Sequence, residues 1–336
     1  EPPEALRSVI PVAGKALVRD SVEGAREVAR QHLLGYDFIK VYNNVPAAAY
    51  AGVMAEARRL GLPVAGHVPF AVGLRGAVAA GQRSIEHLRG YEWYLVPQNA
   101  PHQPGMDLRS RTLAWSDADL SKIDSLAAWS KAAGVWNTPT LAVTLVLKPQ
   151  VDLDRYLASE EARHLGTEQR RWFTDRLSIP WLSNFSEDDF RIAYRGLAMQ
   201  DSLIRALVRT GAKILAGTDT QPLGFALHRE LEELVRAGLT PFQALEAATR
   251  NPAEFFRFQD GSGVVAVGSP AELVLLEGNP LEAVRQTRRI GGVVSTLIRP
   301  SSSSWCNSPA TDSVVLASWI YAPCCPLGSQ HTVTNS

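Results

Sequence analysis

Between residues 20 and 90 the chain switches repeatedly between a helical period and a period of two. Apolar residues at helical spacing cover about 22 to 34. Asp20 is placed to cap that helix, Glu23 to complete a capping box, and Gly35 to end it. "YDFIKVY" then reads as a strand. Pro46 suits the first turn of a second helix, which runs through "AAAYAGVMAEARRL" and stops at Gly61. "LPVAGHV" predicts the next strand, "AVGLRGAVAAG" a short helix and "SIEHL" another strand. Farther on come a helix over "SDADLSKIDSLAAWSKAAG", a strand at "VWNTPTLAV", a helix ending in "LVRTG" and a strand at "AKILAGTD". Five strands alternating with helices predict βα units and a parallel sheet. Right-handed crossovers make that a barrel or a doubly wound sheet, and no G-x-G-x-x-G follows the first strand, which favours the barrel.

Residues of about 144–196 interrupt the alternation with a polar, helix-rich stretch carrying Trp172, Phe173, Trp181, Phe185 and Tyr194. It reads either as an insertion packing its own small aromatic core or as a lid over the barrel mouth. From about 262 the pattern changes to short β-like runs, "GVVAVGSPAELVLLEGNP". After Val294 it changes again. Residues 295–336 hold ten serines, only two charged residues (Arg299 and Asp312) and all three cysteines. This division predicts a barrel unit over 1–261, a small β element over 262–294 and an aberrant or disordered tail over 295–336.

Composition narrows the functional classes. The 336 residues are 46% hydrophobic with a formal net charge of zero, so there is no basic surplus for nucleic acid or an anionic membrane. No run approaches the roughly 18 apolar residues of a membrane span. With cysteines at 306, 324 and 325 alone, a thiol catalyst in the main body is excluded. The first residues show neither a basic signal-peptide region nor an initiator Met, so compartment stays open and the chain reads as beginning inside a larger protein.

One detail of the pattern is chemically odd. In "DFIKVY", Phe38, Lys40 and Tyr42 share one face while Ile39 and Val41 take the other, which sets an ammonium group in an otherwise apolar strand. Three more ionisable residues occupy comparable places, at or beside strand C-termini: His67 in "VAGHV", His87 in "SIEHL" and Asp219 in "LAGTDT". In a parallel barrel those ends converge on one mouth. Two imidazoles and a carboxylate suit zinc or a similar divalent ion. Singly, each has a plainer reading: a hydrogen-bonded structural histidine, a helix N-cap for Asp219, a snorkelling stem for Lys40. Their recurrence at successive strand ends favours a site. His228, nine residues past Asp219, is a candidate substrate contact near the same mouth.

These residues, with "DFIKVYNN", "GLPVAGHVP", "AGQRSIEHL", "GAKILAGTDT", "LHRELEELVRAGLTPFQALEAATRNPAEFF" and "GSPAELVLLEGNPLEAVRQTRRIGGVV", resemble the amidohydrolase superfamily, in its imidazolonepropionase-like and Xaa-Pro dipeptidase-like branch. The order Lys, His, His, Asp at intervals of 27, 20 and 132 is similar to the family pattern, and the likeness runs from about residue 10 to 294. The resemblance implies an α/β fold: strands 4–8 of a (β/α)8 TIM barrel with a remnant of a flanking β-sandwich. It implies a divalent metal centre, zinc by preference, in which Lys40 reacts with CO2 to form a bridging carbamate. His67 and His87 would hold one metal with Lys40. Asp219 would ligate the other and take the proton of the attacking hydroxide. The activity implied is hydrolysis of a C–N bond in an amide, cyclic amide or dipeptide.

Two departures qualify that expectation. The family's His-x-His pair at strand 1 is absent, so the chain reads as a barrel lacking strands 1 to 3, impaired or able to hold one metal through His67, His87 and Lys40. After the strand-5 histidine the dipeptidase members carry a tyrosine, whereas "HVPF" has Pro69 and Phe70; Tyr42, on the face of Lys40, is the candidate replacement at the substrate carbonyl. The ending "STLIRPSSSSWC" suggests a shifted reading frame near residue 294. Rival readings are a Schiff-base lyase using Lys40 as an amine nucleophile and a non-catalytic remnant of the fold. Expected partners are small amides or peptides, with a homo-oligomer left open.

Overall fold

In the computed structural model, residues 15–220, 222–294 and 332–334 are described. All five strands expected from the alternation are present, in two parallel sheets. One contains β2 (Ile39–Val41) and β3 (Val64–Gly66), and the other β4 (Ser84–Glu86), β5 (Trp136–Thr138) and β6 (Lys213–Ile214). A sixth strand, β1 (Lys15–Leu17), which the alternation did not predict, precedes the first helix. A hairpin of β7 (Leu273–Leu276) and β8 (Ile290–Val294) is antiparallel. The backbone of β9 (Thr332–Thr334) pairs in parallel with both β1 and β2. The remainder of 295–336, with the expectation of an aberrant tail, lies outside the described residues.

The strands β2 to β6 follow chain order, and the two sheets meet at one joint, between β3 and β4. Between β3 and β4 the backbone contributes Arg83 N–H to Val64 O at 2.7 Å. The buried side chain of Gln82 spans the rest: Nε2 donates to Gly66 O (3.1 Å), His67 O (3.1 Å) and Ser84 O (3.0 Å), while Oε1 accepts from Tyr50 Oη (2.9 Å). A side-chain amide thus replaces missing rungs and carries the sheet across to β4.

Both faces of β2 are covered, as its run of apolar residues requires. Ile39 and Val41 enter the main core with Val53 and Ala57 of helix Ala47–Leu60. Phe38 lies on the opposite side with Ala65, Trp136, Leu215 and Phe255. Helices Ser21–Leu33 and Ala47–Leu60 approach so closely that a Cβ on Gly52 would fall 2.0 Å from Ser21 O.

Local signals came out with small changes. Asp20 caps its helix through Val22 N and Glu23 N, but Glu23 turns to the backbone and guanidinium of the adjacent Arg19 rather than closing a capping box. Pro46 is the extended N-cap rather than part of the first turn. The helix expected over 116–134 begins as two 3-10 turns and is α-helical only over Ile123–Ala133. The 144–196 stretch packs two small clusters, Leu145, Leu153, Tyr156, Ala162 and Phe173 in one, Ile179, Leu182, Phe185 and Phe190 in the other. Trp181 and Tyr194 stay largely exposed.

Gln82→Leu keeps the volume but takes the amide donor from Gly66 O, His67 O and Ser84 O and leaves Tyr50 Oη with only the longer contact to Ala77 O at 3.4 Å. Urea denaturation is expected to show a loss of about 2–4 kcal/mol; a loss below about 0.5 kcal/mol would show that the β3–β4 joint does not depend on this amide.

Candidate active site

The strand ends are built from unusual backbone. His87 (φ 58°), Leu88 (φ 53°), Thr140 (φ 54°) and Asp219 (φ 45°) all adopt the left-handed region although none is glycine. For a β-branched Thr this is a true outlier, and each such residue costs on the order of 1–3 kcal/mol. Four of the five non-glycine residues of this kind among the described residues lie at the C-terminal edge of one sheet. The turns re-aim side chains that would otherwise follow the pleat.

His67 directly follows β3, its N–H continuing the ladder to Val41 O at 2.9 Å, and His87 directly follows β4, with its N–H on Thr138 O at 2.8 Å. The two imidazole centroids are 4.9 Å apart. His87 Nε2 stands 3.3 Å from Asp219 Oδ2. The Tyr42 ring lies 4.5 Å from that of His67, and Lys40 Nζ is 5.6 Å from the Tyr42 ring centre. Lys40 is 8% exposed and His67 5%, whereas the Asp219 side chain is 42% exposed. The lysine, both histidines, the aspartate and Tyr42 therefore share one locality. A cavity of about 500 Å³ adjoins it, with Asn43, Asn44, Phe70 and Met106 in its wall.

Hydrogen bonds set which nitrogen of each ring is free. Asn43 turns its Nδ2 to Asn44 Oδ1 (3.2 Å), leaving its Oδ1 to accept from His67 Nδ1 at 2.7 Å. Thr140 donates its one hydroxyl proton to Pro139 O (2.6 Å), so it accepts from His87 Nδ1 at 2.5 Å. Both neutral rings then carry the proton on Nδ1 and a lone pair on Nε2. Burial first, and then the cations Arg89, Lys40 and Arg111, holds both imidazoles well below the usual histidine pKa. Burial depresses Arg111 in turn, to about 10. It is held by Met106 O (2.7 Å) and stacked over Phe70. The Arg89 Nε is enclosed without a hydrogen-bond partner.

This donor set suits a borderline divalent ion: two imidazole lone pairs and a carboxylate that meets one of them. The described residues do not gather three or more His, Cys, Asp or Glu side chains into a ready-made metal site. Completing one at this mouth calls for a further donor.

His228 does not join the group. Its Nδ1 lies 3.0 Å from Thr287 Oγ1, and burial with the nearby Arg288 pushes its pKa down to about 4. It makes no hydrogen bond, ion pair or ring contact with His67, His87 or Asp219. Helix Leu223–Ala237 brings this residue to the Val284–Arg288 turn, where Thr287 is its partner.

The pattern also passed over Asn43, Thr140 and Glu230. The first two were legible only as polar residues just beyond strand ends. Glu230 left a clearer mark: it occupies an apolar position in the stripe Leu227, Glu230, Leu231, Leu234. It is 0% exposed, and its Oε2 accepts Ala142 N–H at 2.7 Å.

Burial raises the Glu230 pKa to about 8 against the pull of the Ala142, Leu141 and Thr140 amides. A raised folded-state pKa means stabilisation that is complete below the unfolded value near 4.5 and is lost as pH rises through about 8. Glu230→Gln has no such titration. The stability difference, variant minus wild type, is expected to grow from pH 5 to pH 8 by roughly a few kcal/mol in urea midpoints; a pH-independent difference would contradict the buried-acid assignment.

Comparisons with known proteins agree on the family. The amidohydrolase family profile matches residues 15–301. The ochratoxinase of Aspergillus niger is 37% identical over 93 residues, 26% of this chain and 19% of that protein. Its crystal structure superposes with a TM-score of 0.53 at 21% identity, covering 83% of this chain and 54% of the other. A Xaa-Pro dipeptidase with bound methionine in its active site gives 0.52 at 21%, covering 83% and 58%. A bottromycin amidohydrolase gives 0.54 at 27%, also covering 83% and 58%. The chain thus spans less than three fifths of these solved structures and about a fifth of the curated relative. A parallel α/β sheet, polar strand ends meeting at one edge and a profile match over most of its length lead to one conclusion: the chain belongs to the amidohydrolase family.

Proposed function

We propose that this chain is a metal-dependent hydrolase of carbon–nitrogen bonds, acting on a small amide, cyclic amide or dipeptide. Its β1–β6 region is then a segment of a (β/α)8 barrel over 1–261, and 262–294 a remnant of a flanking β-sandwich. The observation that carries the reading is the approach of His87 Nε2 to Asp219 Oδ2 at 3.3 Å, with Nδ1 already donating to Thr140. Two lone-pair donors that face each other this closely invite a cation between them. The neighbours' names, a Xaa-Pro dipeptidase and a bottromycin amidohydrolase, direct the substrate search to peptides and amides. No helix among the described residues is long and apolar enough to cross a membrane.

His67, His87 and Asp219 would hold the ion, with Lys40 as a carbamate: its amine nitrogen bonds CO2 and loses protons, turning a cation into a two-oxygen anion. When bound, the metal supplies a Lewis acid and lowers the pKa of water. The protein supplies the rest. Asn43 and Thr140 hold the two rings by their Nδ1 protons. Asp219, the most exposed of the set, takes the proton of the attacking water on a carboxylate oxygen and returns it to the leaving nitrogen. Tyr42, against His67, directs its hydroxyl to the substrate carbonyl.

The test is reconstitution with zinc or manganese in bicarbonate, followed by amine release from a panel of dipeptides and N-acyl amino acids. Release is expected to require metal, to stop with chelator and to fall about 10²–10⁴-fold in Asp219→Asn with metal still bound. Chelator-resistant hydrolysis, or undiminished activity in Asp219→Asn, would overturn the proposal. His67→Ala and His87→Ala are each expected to weaken metal retention about 10–100-fold or more on dialysis; unchanged retention in both would remove the histidines from the site.

A further inference from the structure

We infer that Glu230, a residue of helix Leu223–Ala237 remote from the strand ends in sequence, is a positioning residue that fixes the ring of His87 through the Thr140–Ala142 turn. The inference deepens the proposed function and rests on His87 serving in that site.

The connection can be followed atom by atom. Thr140 leaves β5 in a left-handed conformation (φ 54°, ψ 53°) and opens the 3-10 helix Leu141–Leu147. Neither Thr140 nor its neighbours cap that helix from within: no side-chain capping bond is made at its start. The first amides of any helix need acceptors, and here the acceptor arrives from another element, as Glu230 Oε2 takes Ala142 N–H at 2.7 Å. Glu230 is fully buried, and its Oε1 has no hydrogen-bond partner, so the carboxyl group is not held there by any competing side chain. It faces the turn from below. The turn in turn presents Thr140 Oγ1, which gives its proton to Pro139 O and accepts from His87 Nδ1.

Burying a carboxyl group in an apolar helix face is costly. If nothing more than packing were needed at this position, a leucine would serve, as at Leu227, Leu231 and Leu234 of the same stripe. A β-branched residue with positive φ is also unfavourable unless its surroundings enforce it. One arrangement accounts for both features: the buried acid holds the strained turn, and the strained turn places a hydroxyl oxygen where His87 must put its Nδ1 proton. The consequence for the site is a lone pair on Nε2, on the side of Asp219. Without the turn, the ring is free to take the other tautomer or rotate.

The experiment reads the tautomer directly, on metal-free full-length protein labelled with ¹⁵N-histidine, at a pH where the ring is neutral. Long-range ¹H–¹⁵N correlation spectra are assigned with His87→Gln. Wild type is expected to show His87 protonated at Nδ1. Glu230→Gln, whose carbonyl oxygen can still accept Ala142 N–H, is expected to keep that signature. Glu230→Leu is expected to lose it, with the Nε2-protonated form or a mixture appearing while the His67 signals, anchored by Asn43, stay in place. Thr140→Val, which removes the hydroxyl that accepts from His87 and donates to Pro139 O, is expected to give the same His87 change, and Thr140→Ser to restore the wild-type pattern. Should Glu230→Leu fail to fold, the decision falls to Glu230→Gln against Glu230→Ala, judged in the same spectra. A folded Glu230→Leu or Glu230→Ala with an unaltered His87 tautomer would overturn the inference, as would Nε2 protonation in wild type. Because no metal or substrate enters the measurement, a failure of the hydrolase reading would leave these spectra unchanged and is told apart by the reconstitution assay.

Discussion

The hydrogen bond from His87 Nδ1 to Thr140 Oγ1 is the contact on which the site's geometry turns. It joins the ends of two neighbouring parallel strands, β4 and β5, side chain to side chain, just beyond the last backbone rung at His87 N–H and Thr138 O. Its direction decides which imidazole nitrogen is left for chemistry. His67 is treated in the same way by Asn43, from the end of β2. In each case the ring is held by a polar residue from an adjacent strand end, so the parallel register of the sheet becomes the register of the site.

That register is maintained at some expense to the local backbone. Positive φ at His87, Leu88, Thr140 and Asp219 concentrates strain at one edge of the β4–β5–β6 sheet, while strands β4 and β5 beneath are fully buried. The supports are correspondingly specific. Gln82 supplies the rungs missing between β3 and β4 and reaches the His67 carbonyl, and Glu230 caps the turn that carries Thr140. Arg89, Arg111 and Lys40 add positive charge around rings that burial already keeps neutral. A neutral ring with a directed lone pair is what a cation site asks of histidine.

Much of this was legible in the residues themselves. The five strands from β2 to β6 followed from alternation and punctuation, because glycines at 35, 61 and 211 really do end helices. The lysine, the two strand-end histidines and Asp219 could be picked out because a parallel sheet sends its C-terminal ends to one edge, whatever lies between them in sequence. What stayed hidden depended on three-dimensional partners. Strand β1 has its partner, β9, at the far end of the chain, and Glu23 chose Arg19 over its own cap. The partner of His228, Thr287, lies 59 residues along the chain and could not be read from its nearness to Asp219. Gln82, Asn43 and Thr140 are ordinary polar residues in the sequence, and only their buried acceptors and donors distinguish them. Glu230 is the intermediate case: its place in an apolar stripe marked it as unusual, but not what it held.

The central claim is that the strand-end imidazoles form a metal site, and the ligands of a bound ion test it most directly. Zinc K-edge X-ray absorption on the reconstituted full chain distinguishes nitrogen and oxygen near 2.0–2.1 Å from sulfur near 2.3 Å, and imidazole rings add outer-shell scattering. The account predicts an all-nitrogen-and-oxygen first shell with two imidazoles, falling to one in His67→Ala or His87→Ala. A shell containing sulfur from the cysteines at 306, 324 and 325, or one without imidazole, would contradict it.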